Sequence, residues 1–393
     1  MKEKEKVLDR LRAWLVALAV VAAQGVVVVG DGRSAGAAAR PTCFGKKATI
    51  VVRDGYESVD GTNGDDVIVG TSSTDYIDGK GGNDRICARS NHPADEDFVS
   101  GGGGDDRISG GRSGDSLNGG RGDDLIVGGR GYDYIWAELG ADTVRGGAES
   151  DYVDGGIGWD VIEGGGDGDG IVGGAGRDTL DGGAGSDLVS YAERCCDYSY
   201  DAGSVEVDLT TGVATGADGT DSIANFEGIQ GSDGDDVLIG DDGPNRIYAL
   251  NGEDEVHARG GDDRIVADDI GGVGDDHVDG GEGSDTIGFD YVAVTVDLVA
   301  GTARGQGTDT LVDVENVIGS IQGDTIYGDD ESNRLLGYYS GYDSGDDEIH
   351  GAGGDDYLEG GDGTDRLDGG DGNDTCTEGE SVQSCESTTP PDP

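Results

Sequence analysis

From Gly101 to Ser190 the chain repeats itself every nine residues, and no other property narrows its possible folds as far. The units read GGGGDDRIS, GGRSGDSLN, GGRGDDLIV, GGRGYDYIW, AELGADTVR, GGAESDYVD, GGIGWDVIE, GGGDGDGIV, GGAGRDTLD and GGAGSDLVS, without a gap. Position six is Asp throughout: Asp106, Asp115, Asp124, Asp133, Asp142, Asp151, Asp160, Asp169, Asp178 and Asp187. Position eight is always Ile, Leu or Val, from Ile108 to Val189. Glycines at positions one, two and four tolerate left-handed backbone and make a turn. The three residues around position eight are extended, with the aliphatic side chain on one face and its neighbours on the other. Turn plus strand is half a coil, so two units close one turn of a flattened solenoid and residues eighteen apart stack on the same side. The expected fold is all-β: a parallel β-roll, or β-solenoid, of stacked nonapeptide repeats in several blocks.

The same register recurs outside the central run. Units starting at Gly61, Gly70 and Gly79 place Asp66, Asp75 and Asp84 at position six. Six more place Asp236, Asn245, Asp254, Asp263, Asp276 and Asp285 there, and a last six place Asp324, Asn333, Asp347, Asp356, Asp365 and Asp374. Carboxylates eighteen residues apart are expected to meet on one side of the roll. Asp is a hard oxygen donor, and turn carbonyls can fill the rest of the six-to-eight-oxygen shell that calcium takes; magnesium demands tighter octahedral geometry. The position-six Asp residues are therefore the candidate metal ligands. Asn245 and Asn333 offer a neutral amide, which weakens their sites.

These units resemble G-G-x-G-x-D-x-U-x, the RTX (repeats-in-toxin, haemolysin-type) calcium-binding repeat, over most of the chain after its first sixty residues. The resemblance implies multiple Ca2+ ions as cofactor, folding coupled to their uptake, and a bacterial extracellular protein. The RTX toxins leave the cell through an uncleaved C-terminal signal, whereas this chain begins with a Sec-like one, which sets it apart from them.

Composition agrees with a cation as partner. The chain holds 80 Gly, 83 acidic and 26 basic residues, with hydrophobic residues at 34%; by composition alone it reads as disordered. A net charge of −57 excludes nucleic acid and anionic membrane as bulk electrostatic partners. Lys2, Lys4, Lys6, Arg10 and Arg12 precede an apolar run from Ala13 to Gly30, and Ala37-Ala38-Ala39 supplies an A-x-A cleavage site. Cleavage before Arg40 is the expectation, with an uncleaved signal anchor as the alternative. Six cysteines in an exported chain point to disulfides. Fifteen connectivities are open; position suggests Cys43 with Cys87 and Cys376 with Cys385, while Cys195 and Cys196 adjoin in an insertion.

The expected layout is a signal peptide over 1–39, an N-terminal segment with the first repeats over 40–100, and the central ten-repeat roll over 101–190. A strand insertion over 191–230, a second repeat block over 231–288, a strand insertion over 289–318, a third repeat block over 319–377 and a C-terminal tail over 378–393 follow. The two insertions are one module twice: VEVDLTTGVATG with GTDSIANFEGIQGS, then VTVDLVAGTARG with GTDTLVDVENVIGS. Val205, Val207 and Leu209, like Val294, Val296 and Leu298, alternate as half-buried strands do, packing against a roll end or side. In the shorter break over 88–100, Asp97 and Val99 keep the D-x-U spacing.

Other signals are weak. His92, His257, His277 and His350 make no HExxH zinc motif, and no G-x-S-x-G elbow occurs. The G-x-G-x-x-G match at Gly168, Gly170 and Gly173 falls inside the nonapeptide register with no crossover helix after it. Tyr134, Trp136, Tyr152 and Trp159 could form a contact stripe or be scattered exposed rings. The outward position-seven row is too mixed for the flat Thr ladder of an ice-binding surface. The expected function is a secreted, non-enzymatic calcium-binding repeat protein, structural or cell-surface and adhesive, with a cell-surface or glycan partner left open and no membrane insertion after signal cleavage. The alternative is an RTX-type exported enzyme or toxin using the repeats as a secretion and folding module; no insertion exceeds roughly forty residues, below ordinary domain size.

Overall fold

The structure, a computed structural model, describes residues 40–52, 58–90, 92, 95–192, 203–268, 274–289, 291–305, 307–338 and 345–389. The expected signal peptide over 1–39 and the pair Cys195 and Cys196 lie outside the described residues. Among the described residues every helix or strand element is a β-strand, and the fold is the expected parallel β-solenoid. Two compact units are distinguished, one ending at Asp187 and the other beginning at Leu188.

In the first unit the x-U-x segments are strands, and each pairs in parallel with the strand one full turn away. Ile126 in Leu125–Arg130 lies against Val144 in Thr143–Ala148, which lies against Ile162 in Val161–Gly166. On the other side Leu117 lies against Ile135, and Ile135 against Val153. Position eight points inward: Ile108, Leu117, Ile126, Ile135, Val144, Val153, Ile162 and Ile171 are fully buried. The core is thus a file of single aliphatic side chains, each contributing roughly 1.5–3 kcal/mol by leaving water. The turns bring backbones closer than a side chain allows. Gly120 and Gly122, at positions two and four, have φ of 107° and 114°, and a Cβ added there would run into the carbonyl oxygens of Gly102 and Gly104 one turn earlier. At the start of the unit, Thr42–Cys43 and Lys46–Lys47 form an antiparallel hairpin, Ile50–Val51 pairs with Val67–Val69, and the expected Cys43–Cys87 disulfide ties the hairpin to the repeats.

In the second unit both insertions are three-stranded antiparallel meanders: Glu206–Asp208, Val213–Gly216 and Gly219–Ala224 in one, Thr295–Asp297, Thr302–Arg304 and Thr308–Val312 in the other. They do not pack on the outside of a coil. The first strand of each also pairs in parallel with the following repeat block, Val207 against Leu238 and Val296 against Ile326, because its open edge carries unpaired N–H and C=O groups that the next coil satisfies. Val205, Val207, Val294 and Val296 are buried, as their alternation predicts. The strand Thr308–Val312 pairs in turn with His277–Asp279 of the preceding block. The expected Cys376–Cys385 disulfide closes the last coils. Among the described residues no helix is long and apolar enough to cross a membrane.

Candidate metal centres

All the position-six residues are buried, and the structure arranges them in columns through a bond the sequence does not announce. Along each column the N–H of one residue donates to Oδ1 of the next Asp, one turn later. In the first unit one column runs Asp66, Asp84, Asp106, Asp124, Asp142, Asp160, Asp178, with N–H to Oδ1 distances of 2.7–2.8 Å. The other runs Asp75, Asp97, Asp115, Asp133, Asp151, Asp169, Asp187. In the second unit Asp236, Asp254 and Asp276 form one column, and Asn245, Asp263 and Asp285 another. After the second insertion come Asp324, Asp347 and Asp365, and Asn333, Asp356 and Asp374. The carboxylates stack without hydrogen-bonding one another: each is strapped to the backbone of the turn before it.

That strap occupies one oxygen and leaves the other. Oδ2 of Asp106, Asp115, Asp124, Asp133, Asp142, Asp151 and Asp169 is buried with no hydrogen-bond partner, as is Oδ2 of Asp84, Asp254, Asp263, Asp285, Asp347, Asp356, Asp365 and Asp374. Where the unit begins with Gly, as for Asp84, Asp106, Asp115, Asp124, Asp133, Asp151, Asp169, Asp285, Asp356, Asp365 and Asp374, Oδ2 points toward that glycine. A Cβ added at Gly101 would collide with Asp106 Oδ2 and with the Gly119 carbonyl oxygen of the next turn; at Gly146 it would meet Asp151 Oδ2 and the Gly164 carbonyl. In these units position one is Gly where two oxygens already border that space, whereas Ala137, Ala249 and Ala258 fill the same position in the units of Asp142, Asp254 and Asp263. Native structures seldom leave a buried carboxylate oxygen without a partner, so a ladder of them is a demand for a cation. The donors are all hard oxygens, which fits Ca2+. Among the described residues no group of three or more His, Cys, Asp or Glu side chains converges on a metal position; the oxygens that border the Oδ2 atoms, such as those of Gly119 and Gly164, are backbone carbonyls.

Electrostatics state the same need. Burial, opposed by the strap and assisted by neighbouring carboxylates, raises Asp124 and Asp169 to about 7, Asp142 and Asp151 to about 8 and Asp133 to about 9. In the second unit burial likewise raises Asp254 and Asp347 to about 8. Carboxyls in this state hold a proton unless a cation replaces it.

The first units of each block differ from the rest. Thr62, Thr71, Ser232 and Ser320 stand at position two, and their N–H groups donate to Oδ2 of Asp66, Asp75, Asp236 and Asp324 at 2.6–2.8 Å. Asp241 and Asp329 do the same to Oδ1 of Asn245 and Asn333, whose Nδ2 groups donate to the carbonyls of Glu227 and Glu315 at 3.4 and 2.9 Å. Interior units instead turn position two into the left-handed region even without glycine, as at Lys80, Glu138, Leu250, Arg259 and Ala352. Acidic residues outside the counted units also join the columns: Asp97 in the first break, Asp309 and Glu315 in the second insertion, Glu380 and Glu386 in the tail. Their one sequence signal is an acidic residue two places before the strand residue that pairs with position eight of a neighbouring coil.

Groups on the outer face stay apart from the columns. His257 Nε2 lies 3.0 Å from Glu255 Oε1, and His350 Nε2 lies 3.4 Å from Glu348 Oε1. Tyr134 is buried among the rings of Tyr132, Trp136 and Tyr152, while Trp159 is 72% exposed.

The RTX calcium-binding nonapeptide repeat (4 copies) matches residues 55–90, 100–135, 136–171, 163–192, 230–265, 270–287 and 342–376, more than half of the chain. The chain belongs to the RTX repeat family. Its RTX units are those that place Asp carboxylates and glycine turns around the buried oxygens, and calcium binding follows from that membership. No curated protein is a match. Among solved structures, the RTX chain is similar to a hyperactive, Ca2+-dependent, β-helical antifreeze protein from an Antarctic bacterium, at 18% identity over 84% of each chain with a TM-score of 0.21.

Proposed function

We propose that this RTX protein is exported and non-enzymatic, that its rolls fold as they take up Ca2+, and that the folded roll serves as a structural, cell-surface or adhesive element. The observation that carries the reading is the ladder of buried, partnerless carboxylate oxygens. An uncompensated buried charge costs several kcal/mol, and the single-file aliphatic core has little to set against a row of them. Bound calcium supplies the missing positive charge. The chain's residues supply everything else: Oδ2 of the position-six Asp residues with Asp142 typical of them, the turn carbonyls as neutral donors, and the backbone strap that fixes each carboxylate's orientation. Export is supported by the two disulfides, which form in oxidising compartments. A surface-contact role is supported by Leu139, Ile157 and Trp159, which are apolar and exposed on successive coils.

Circular dichroism and hydrodynamic radius test the reading directly. In chelator at about pH 8.5 the chain is expected to be expanded and poor in β-structure; at about 1 mM calcium it becomes compact and β-rich, and magnesium at equal concentration does not substitute. Identical spectra with and without calcium sink the reading. Retention of the protein on washed cells or polysaccharide only in calcium separates the adhesive role from a purely structural one.

A further inference from the structure

Four short segments of the second unit share a pattern that the nonapeptide does not describe. They are Asn225-Phe226-Glu227, Asp313-Val314-Glu315, Glu378-Gly379-Glu380 and Ser384-Cys385-Glu386, and the first residue of each lies in the left-handed region, with φ of 56°, 48°, 55° and 51°. Each leads into a strand, and each three-residue segment takes the place of the six-residue turn of a unit. In the last three the Glu carboxylate accepts the N–H of the final Asp of a column: Asp285 to Glu315, Asp365 to Glu380 and Asp374 to Glu386, all at 2.7 Å to Oε2. Glu therefore does what the next Asp does inside a column.

The carbonyls match as well. A Cβ added at Gly280, Gly360 or Gly369 would run into the carbonyl oxygen of Asp313, Glu378 or Ser384, the left-handed residue of the turn, and into Oδ2 of Asp285, Asp365 or Asp374. Those three Oδ2 atoms are buried without a hydrogen-bond partner, and the three Asp residues are 0% exposed. This is the interior arrangement at Gly101, where Asp106 Oδ2 and the Gly119 carbonyl border the space and Asp124 accepts the Asp106 N–H. Inside a column the carboxylate follows the carbonyl by five positions, as Asp124 follows Gly119; in the short turn it follows by two, as Glu315 follows Asp313, and the extra methylene of Glu extends its reach.

We infer that the short turn is a terminating half-site. Glu315, Glu380 and Glu386 are ligands for a hard divalent cation at the last position of three columns, opposite Asp285, Asp365 and Asp374. The inference rests on the calcium reading above and extends it to residues outside the repeats. The insertion and the tail then close the metal ladder rather than merely follow it.

The full chain is tested with Ca2+ itself, counted by equilibrium dialysis and followed by calorimetric titration. The variants are Glu315→Gln, Glu380→Gln, Glu386→Gln and their triple combination, with Glu253→Gln at exposed position five as control. Gln keeps an amide oxygen for the Asp N–H, so the strap survives while the charge is lost. Each single variant is expected to lose one ion or to bind one at least tenfold more weakly, and the triple variant three, with the control unchanged. Glu380→Asp, which keeps the charge but shortens the reach, is expected to weaken the same ion. If the wild type takes up no calcium, the calcium reading and this inference fall together. If the wild type binds and all the single variants bind the same number with the same affinity, the inference alone falls. Should the triple variant not fold in calcium, the single variants, checked by circular dichroism, decide.

Discussion

Asp142 separates a built site from a diffuse acidic field. Its Oδ1 takes the Asp124 N–H and its own N–H goes to Asp160, both at 2.7 Å, while its Oδ2 is buried and partnerless. Asp142→Ala deletes the proposed ligand oxygen and a strap together and is expected to lower the calcium count and raise the calcium midpoint. Asp181, at position nine and paired across strands with Glu163, carries the same charge on the outer face; Asp181→Ala is expected to leave the count unchanged. Calorimetric titration of the two compares them, and equal losses would mean that binding follows net charge. The candidate Asp residues were legible one by one, because position six never drifts from the aliphatic at position eight. What their spacing could not show is that one oxygen of each is already spent on the backbone of the preceding turn.

The first unit of a block and the units inside it obey different rules at position two. Ser232 gives both its N–H and its hydroxyl to Asp236, at 2.6 and 2.7 Å, so this carboxylate is satisfied by its own turn where interior ones are not. Ser232→Ala removes the hydroxyl bond and is expected to destabilise the calcium-loaded protein by about 1 kcal/mol, seen as a lower thermal midpoint with the number of bound ions unchanged. Asn245 and Asn333 belong to the same class. Read from sequence they are weakened sites; in the fold they are first units, where the amide accepts from its own turn and donates back to the previous coil. The insertions were recognisable as strands from their alternation, yet their antiparallel pairing and their role in starting each new column depend on which edge each strand meets.

At the scale of the whole chain the buried carboxylates link folding to pH. Asp124, Asp133, Asp142 and Asp151 are raised by burial to between about 7 and about 9, against about 3.9 in an unfolded chain. A raised folded value means that the folded state holds protons the unfolded state has released. The protonated carboxyls' contribution to the metal-free roll is therefore fully present below about pH 4 and is lost as pH rises from there through about 9. Calcium binds the ionised form, so its affinity moves the other way. In chelator, β-structure is expected to decline as pH is raised from about 5 to about 8.5, while the calcium needed for half-maximal folding falls over the same interval; circular dichroism at a series of pH values reads both.

The nine-residue period by itself determined the parallel roll, the inward aliphatics and the acidic columns, because a stack of identical half-coils leaves each position one environment to occupy. It also marked calcium as the ion, since a hard carboxylate and glycine turns recur together. Tertiary structure alone decided how a column starts and stops. Whether Glu315 faces Asp285 and whether Val207 joins the coil of Leu238 depend on which backbone lies one turn away. At an insertion that neighbour is thirty residues off rather than eighteen, so no fixed spacing in the sequence can encode it.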